Sequence, residues 1–185
     1  MKNEIVKLGI ILCVISLIAS GSLAMVNDIT KPIIEQQQIA ANDAARQQII
    51  PSADSFEKVD GDFGPGVVEV YKAVSGSEEI AYIIKTLSKG YGGDIEIISG
   101  INVDGTIAGA VLGSMNETPG LGAKAKDQPF ISQYNGKSIE KPMVVSKNAT
   151  GADNEIVAIS GATITSKAVT DGINLAVDVY NKNFK

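Results

Sequence analysis

Three short stretches of this 185-residue chain combine residue types that chemistry uses and scaffolds seldom need. The first is Ser160-Gly161-Ala162-Thr163-Ile164-Thr165-Ser166. It stands at the entrance to a predicted helix, where unpaired N–H groups and the helix dipole favour a phosphate. The plainer reading is a hydroxyl-rich helix start, with Thr165 or Ser166 as its cap. The second is Glu117-Thr118-Pro119-Gly120-Leu121-Gly122-Ala123-Lys124. Pro-Gly sets a turn, because Pro fixes its own φ and Gly accepts the positive φ that follows. Leu121 is then held out between glycines, suited to lie against a flat ring. Glu117 and Thr118 offer hydrogen bonds to a ligand edge, and Lys124 offers balance to an anion. An ordinary surface loop has the same composition. The third is Lys89-Gly90-Tyr91-Gly92-Gly93, whose glycines permit unusual φ or a close backbone approach, or simply make a turn.

What the chain lacks narrows the chemistry further. It has no histidine, which removes the commonest general base and metal ligand. Its one cysteine, Cys13, lies in an apolar run, where it reads as a helix-packing or lipid-facing residue. An intrachain disulfide, and a cysteine zinc site or iron–sulfur cluster ligated by this chain alone, are excluded. No metal site and no catalytic residue are assigned. A net charge of −5 without a long basic run argues against nucleic acid as a partner.

The elements that must position these stretches are read from periodicity. Val67–Val74, Ile80–Thr86, Ile95–Ile101 and Ile107–Leu112 are β-branched runs bounded by turn residues. Asp104-Gly105 joins the last two as a hairpin, with Ile101, Val103, Ile107 and Val111 facing the sheet interior. Met143–Ser146 and Ile156–Ile159 are short strand candidates, and Ser52–Gly66 reads as turns. Ser166–Asn181 is a helix whose Val169, Ile173, Ala176, Val177 and Tyr180 form one apolar face. The expected class is α+β: one small, mainly antiparallel sheet domain with packed helices after an N-terminal transmembrane helix.

Leu8 to Val26 is uncharged and, as a helix, about 28 Å long, close to a bilayer core. Lys2 and Lys7 precede it, which favours a cytoplasmic N-terminus and an exported remainder. Small residues in Ser22-Leu23-Ala24 leave a cleaved signal peptide as the competing reading. The organisation expected is a cytoplasmic segment 1–7, an anchor 8–26, a helical stalk 27–51 and an extracytoplasmic domain 52–185. Pro32 is placed in the first turn of the stalk helix Ile33–Ile50, with Pro51 just past its end. Asn-x-Ser/Thr patterns at Asn116 and Asn148 are short enough to arise by chance.

Taken together and in this order, Lys89–Gly93, Glu117–Gly122 and Ser160–Ser166 resemble the FMN-binding domain family. Within it the chain is most similar to the RnfG family of Rnf electron-transport complexes, whose relatives are the NqrC proteins of sodium-translocating NADH:quinone oxidoreductases. The resemblance covers nearly the whole chain, anchor included. It implies FMN bound covalently through a phosphoester to Thr163, installed by a flavin transferase that uses FAD and a divalent metal. It implies other Rnf subunits and the membrane as partners, and ferredoxin-to-NAD electron flow coupled to sodium or proton export. Ser160, Gly161, Ala162 and Thr165 would then surround the phosphate. Leu121 and Gly122 would lie near the ring, Glu117 or Thr118 at its polar edge, and Lys124 nearby. Two positions depart from the family pattern: Met115 stands where relatives often carry His, and Val157-Ala158-Ile159 where many carry an acidic residue. An FMN domain of another extracytoplasmic reductase and a flavin-free anchored binding module are the other readings.

Overall fold

A computed structural model describes residues 2–148 and 150–185, with side chains from Glu4 onward. Met1, at the head of the 1–7 segment, and Ala149, inside the Asn148 pattern, lie outside the described residues. The chain divides into two compact units, Met1–Ala41 and Asn42–Lys185.

The first unit is most of one helix, α1, which runs Lys2–Ile49. It is long and apolar enough to cross a membrane. The expected break at Pro32 does not occur: Pro32 sits inside α1. Proline removes one backbone donor and clashes with the preceding turn, which kinks a helix but need not end it.

The second unit is built on a five-stranded antiparallel sheet in the order β1-β2-β3-β4-β5. Its strands are β1 Ser55–Lys58, β2 Val67–Ser75, β3 Glu78–Lys89, β4 Asp94–Asn102 and β5 Ile107–Leu112. β1 falls in the stretch read as turns, since Ser-Phe-Glu-Lys carries only one large apolar residue. A parallel pair, β6 Val144–Ser146 and β7 Glu155–Val157, lies apart from the sheet. A short helix α2, Gln128–Ile131, follows a 3₁₀ turn Gly122–Lys126, and α3 spans Thr163–Asn183. The α+β class is the one expected, and β2 to β5 fall on the β-branched runs that predicted them.

Alternation along the strands gives the sheet two apolar faces. Ile84, Ile95, Ile97, Ile101 and Ile107 join a core with Val169, Ile173, Ala176 and Tyr180 of α3. Ala73, Ala81, Ile83 and Ile98 face the other way, against Ala45, Ile49, Ile50 and Ala53. The last turn of α1 therefore packs as part of the domain, ahead of the boundary expected at 52. Gly100 makes this close approach workable: any Cβ there would collide with Ile49. In the Asp104-Gly105 hairpin Gly105 takes φ +83°, and Ile101 pairs with Ile107, both fully buried. Val103 differs from expectation and is 53 % exposed, because β4 ends at Asn102 and the turn rotates it outward.

Candidate functional site

The three chemical stretches converge on Glu117. This side chain is buried, and its two oxygens serve different segments. Oε1 accepts a hydrogen bond from the Gly92 N–H at 2.9 Å. Oε2 accepts one from the Thr165 hydroxyl at 2.5 Å. The 117–124 loop folds tightly around it. Leu121 and Ala123 N–H groups donate to the Thr118 carbonyl at 3.1 and 3.2 Å, and Gly120 takes φ +78°, as the Pro-Gly turn requires. Gly122 is buried where a Cβ would stand 2.5 Å from Glu117 Oε2 and 2.6 Å from Thr165 Oγ1. Only the lack of a side chain leaves room for the Thr165–Glu117 bond.

Thr163 is the first residue of α3, half-buried, and none of the described side-chain hydrogen bonds involves it. Ala162 is the N-cap and supplies no side-chain cap. Ser166 does not cap the helix as anticipated. Its hydroxyl donates to the Ala162 carbonyl at 2.9 Å and accepts the Ile159 N–H at 3.0 Å, tying the entering loop to the first turn. The first intrahelical backbone bond runs from Ser166 N–H to Ala162, so the N–H groups of Thr163, Ile164 and Thr165 face an open helix entrance. A 21-residue helix with an uncapped start, a free hydroxyl on its first residue and exposed Ser160 and Gly161 beside it suits a phosphate. Gly161, at φ +77°, comes near the Leu121 side chain, so the two loops meet.

The sequence-predicted residues thus separate into two sets. Thr163, Ser160, Gly161 and the half-exposed Leu121 share the helix entrance, with Thr118 exposed on the neighbouring turn. Ala162 is buried and contributes backbone. Glu117 and Thr165 turn inward and bond each other, so neither presents a free polar atom where the ring edge or phosphate was expected. Gly122 belongs with this inner pair.

Lys124 opens onto a cleft of about 520 Å³ with Asp127, Phe130, Gln133 and Val157–Ile159. The Val157-Ala158-Ile159 run is therefore an apolar cleft wall. Gln133 holds that wall by bonding the Val157 backbone twice, at 2.8 and 3.2 Å. Two further exposed apolar residues were not singled out from sequence: Ile164, in the first turn of α3, and Tyr91, next to the Gly92 that bonds Glu117. Ile164 carried a signal: it is apolar but out of phase with the buried face of α3.

Comparison with known proteins bears on this geometry. The FMN-binding domain family matches residues 90–178, and the RnfG N-terminal region matches residues 1–49. The G subunit of the Na⁺-translocating ferredoxin:NAD⁺ oxidoreductase complex of Acetobacterium woodii is 42% identical, covering 94% of this chain and 90% of that one. The G subunit of the proton-translocating ferredoxin:NAD⁺ oxidoreductase complex of Clostridium ljungdahlii is 37% identical, covering 96% and 92%. The crystal structure of the C subunit of a Na⁺-translocating NADH-quinone reductase from Parabacteroides distasonis superposes with TM-score 0.61. That structure is 25% identical and covers 80% of this chain and 94% of its own. NqrC of Shewanella oneidensis shares the fold, with TM-score 0.52 at 21% identity over 71% of this chain and 70% of its own.

Proposed function

The chain belongs to the RnfG family of ion-translocating oxidoreductase complexes, and on that premise we propose that it carries FMN covalently on Thr163 and relays electrons inside such a complex. The observation that carries the proposal is the uncapped start of α3, where the Thr163 hydroxyl stands among open N–H groups. In attachment, the Thr163 oxygen bonds to the flavin phosphate of FAD. The pyrophosphate link breaks, AMP leaves, and the hydroxyl proton passes to the medium. A separate flavin transferase performs this step with a divalent metal.

Once bound, FMN supplies one- and two-electron redox chemistry; the protein supplies position and surroundings. Ser160 and the N–H groups of residues 163–165 would hold the phosphate. Leu121 and Ile164 offer apolar surface to the ring, and Thr118 a hydroxyl. Lys124, at the mouth of the neighbouring cleft, offers positive charge to the anionic group. This chain turns over no substrate alone. Its electrons travel between ferredoxin and NAD through the rest of the complex, which couples the flow to sodium or proton export.

The anchor is residues 8–26, with residues 1–7 cytoplasmic, residues 27–51 as the stalk that enters the domain, and the flavin domain outside. The apolar length of α1 supports the span, and Lys2 and Lys7 before it support this orientation.

In-gel ultraviolet fluorescence of the denatured protein, coexpressed with a flavin transferase, tests the attachment. The wild-type band is expected to fluoresce and the Thr163→Val band to be dark. A dark wild-type band, with the transferase active on a control substrate, overturns the proposal in favour of a flavin-free binding module.

A further inference from the structure

We propose that Glu117 is a positioning residue whose two carboxylate oxygens lock the Gly92 loop, the Leu121 loop and the first turn of α3 into the arrangement that receives the flavin. The proposal rests on the reading of Thr163 as the attachment residue. Its geometric half stands without that reading.

The two donors approach two different oxygens, the Gly92 N–H on Oε1 and the Thr165 hydroxyl on Oε2. They lie 25 and 48 residues away in sequence, so these bonds are long-range ties between loops. Each tie places a group at the mouth of the site. Thr165 is two residues past Thr163 in the same helical turn. Leu121 is four residues past Glu117 and meets Gly161. Tyr91, the residue before Gly92, is exposed.

Filling space does not account for Glu117. A buried carboxylate is destabilising relative to an apolar side chain of its size unless its partners hold it. Gly90 and Gly122 both leave room for its oxygens, since a Cβ on either would collide with the carboxylate. The chemistry favours an acid. A carboxylate accepts both bonds with the help of its charge, whereas glutamine has one acceptor oxygen and meets the other partner with an N–H, so that at best a neutral contact to Thr165 Oγ1, reversed in direction, replaces one charge-assisted bond.

The test uses the full chain with E117Q, T165V and T165S. Amide hydrogen exchange on flavin-free protein reads the geometry. E117Q should speed exchange at Gly92 or loosen Ser166 by about tenfold, the scale of one lost bond to a charged group. Strands β3 and β4 should keep wild-type protection. Flavin transfer reads the function. E117Q and T165V should each slow incorporation by about tenfold and weaken the visible circular dichroism of what attaches. T165S, which keeps the hydroxyl, should restore both. Wild-type exchange in E117Q and T165V overturns the lock. Altered exchange with wild-type incorporation and dichroism overturns its role toward the flavin. A dark wild-type band removes the attachment reading, and the role toward flavin with it, while the exchange result still decides the lock. If E117Q does not fold, T165V against T165S, on the other side of the same bond, decides the matter.

Discussion

At the scale of single residues, the site depends on side chains that are missing as much as on those present. Gly122 sits between Glu117 and Thr165, with no space for a methyl group. Gly122→Ala should therefore destabilise the domain by about 1–3 kcal/mol, the usual cost of overpacking, read as a lower urea midpoint at unchanged slope. Two tyrosines predict the alkaline limit of stability. Burial, with a hydrogen bond to Glu79, pushes the Tyr82 hydroxyl up to about 12 from an ordinary 10.0. Burial raises Tyr134 too, partly offset by its bond to Thr170 at 2.8 Å. Above pH 10 the unfolded tyrosines lose protons that the folded ones keep, so their stabilising contribution is present below pH 10 and is lost as pH rises through 12. Melting temperature should fall across that window, and Tyr82→Phe should flatten part of the fall. The hydroxyl-rich run was legible as a helix entrance, because Ser, Thr and Gly gather where a helix begins. The inward turn of Glu117 was not. It depends on partners 25 and 48 residues distant, which no local pattern encodes.

At the scale of elements, periodicity carried most of the reading. The predicted face of α3 is the buried one: Val169, Ile173 and Ala176 are fully buried against the sheet. Ile173→Ala should cost about 2–5 kcal/mol by leaving a cavity under that helix, measured by chemical denaturation. Strands were missed or misplaced where side chains do not alternate. β1 carries Ser, Glu and Lys on an edge. β6 lies within the predicted Met143–Ser146, whereas β7 is shifted from the predicted Ile156–Ile159, three residues being too few for a period to declare itself. The short helix and 3₁₀ turns between Gly122 and Tyr134 also escaped, since such brief elements are set by tertiary contacts of Phe130, Ile131 and Tyr134 rather than by a repeating stripe.

At the scale of the whole molecule, the boundary that matters is drawn by packing and not by composition. Gln- and Ala-rich sequence reads as stalk as far as Pro51, yet Ala45, Ile49 and Ile50 are buried in a core that they share with β2, β3 and β4. A chain beginning at Asn42 keeps these three side chains, and one beginning at Ser52 leaves Ala73, Ala81, Ile83 and Ile98 facing water. The shorter chain should lose at least about 3 kcal/mol of stability from the missing apolar burial, seen as an earlier thermal transition. Flavin transfer to Thr163, on the opposite side of the sheet, should survive in the chain that begins at Asn42.

The contact between Ile49 and Gly100 also imposes a schedule on biosynthesis. The chain is made from its N-terminus, so the end of α1 is complete before any strand exists to receive it. Its isoleucines stay uncovered until β4, with Gly100 near its end, has been translated and has paired with β3. A ribosome that stalls between Pro51 and Gly100 leaves a greasy helix end uncovered, a nascent chain suited to chaperone capture or degradation.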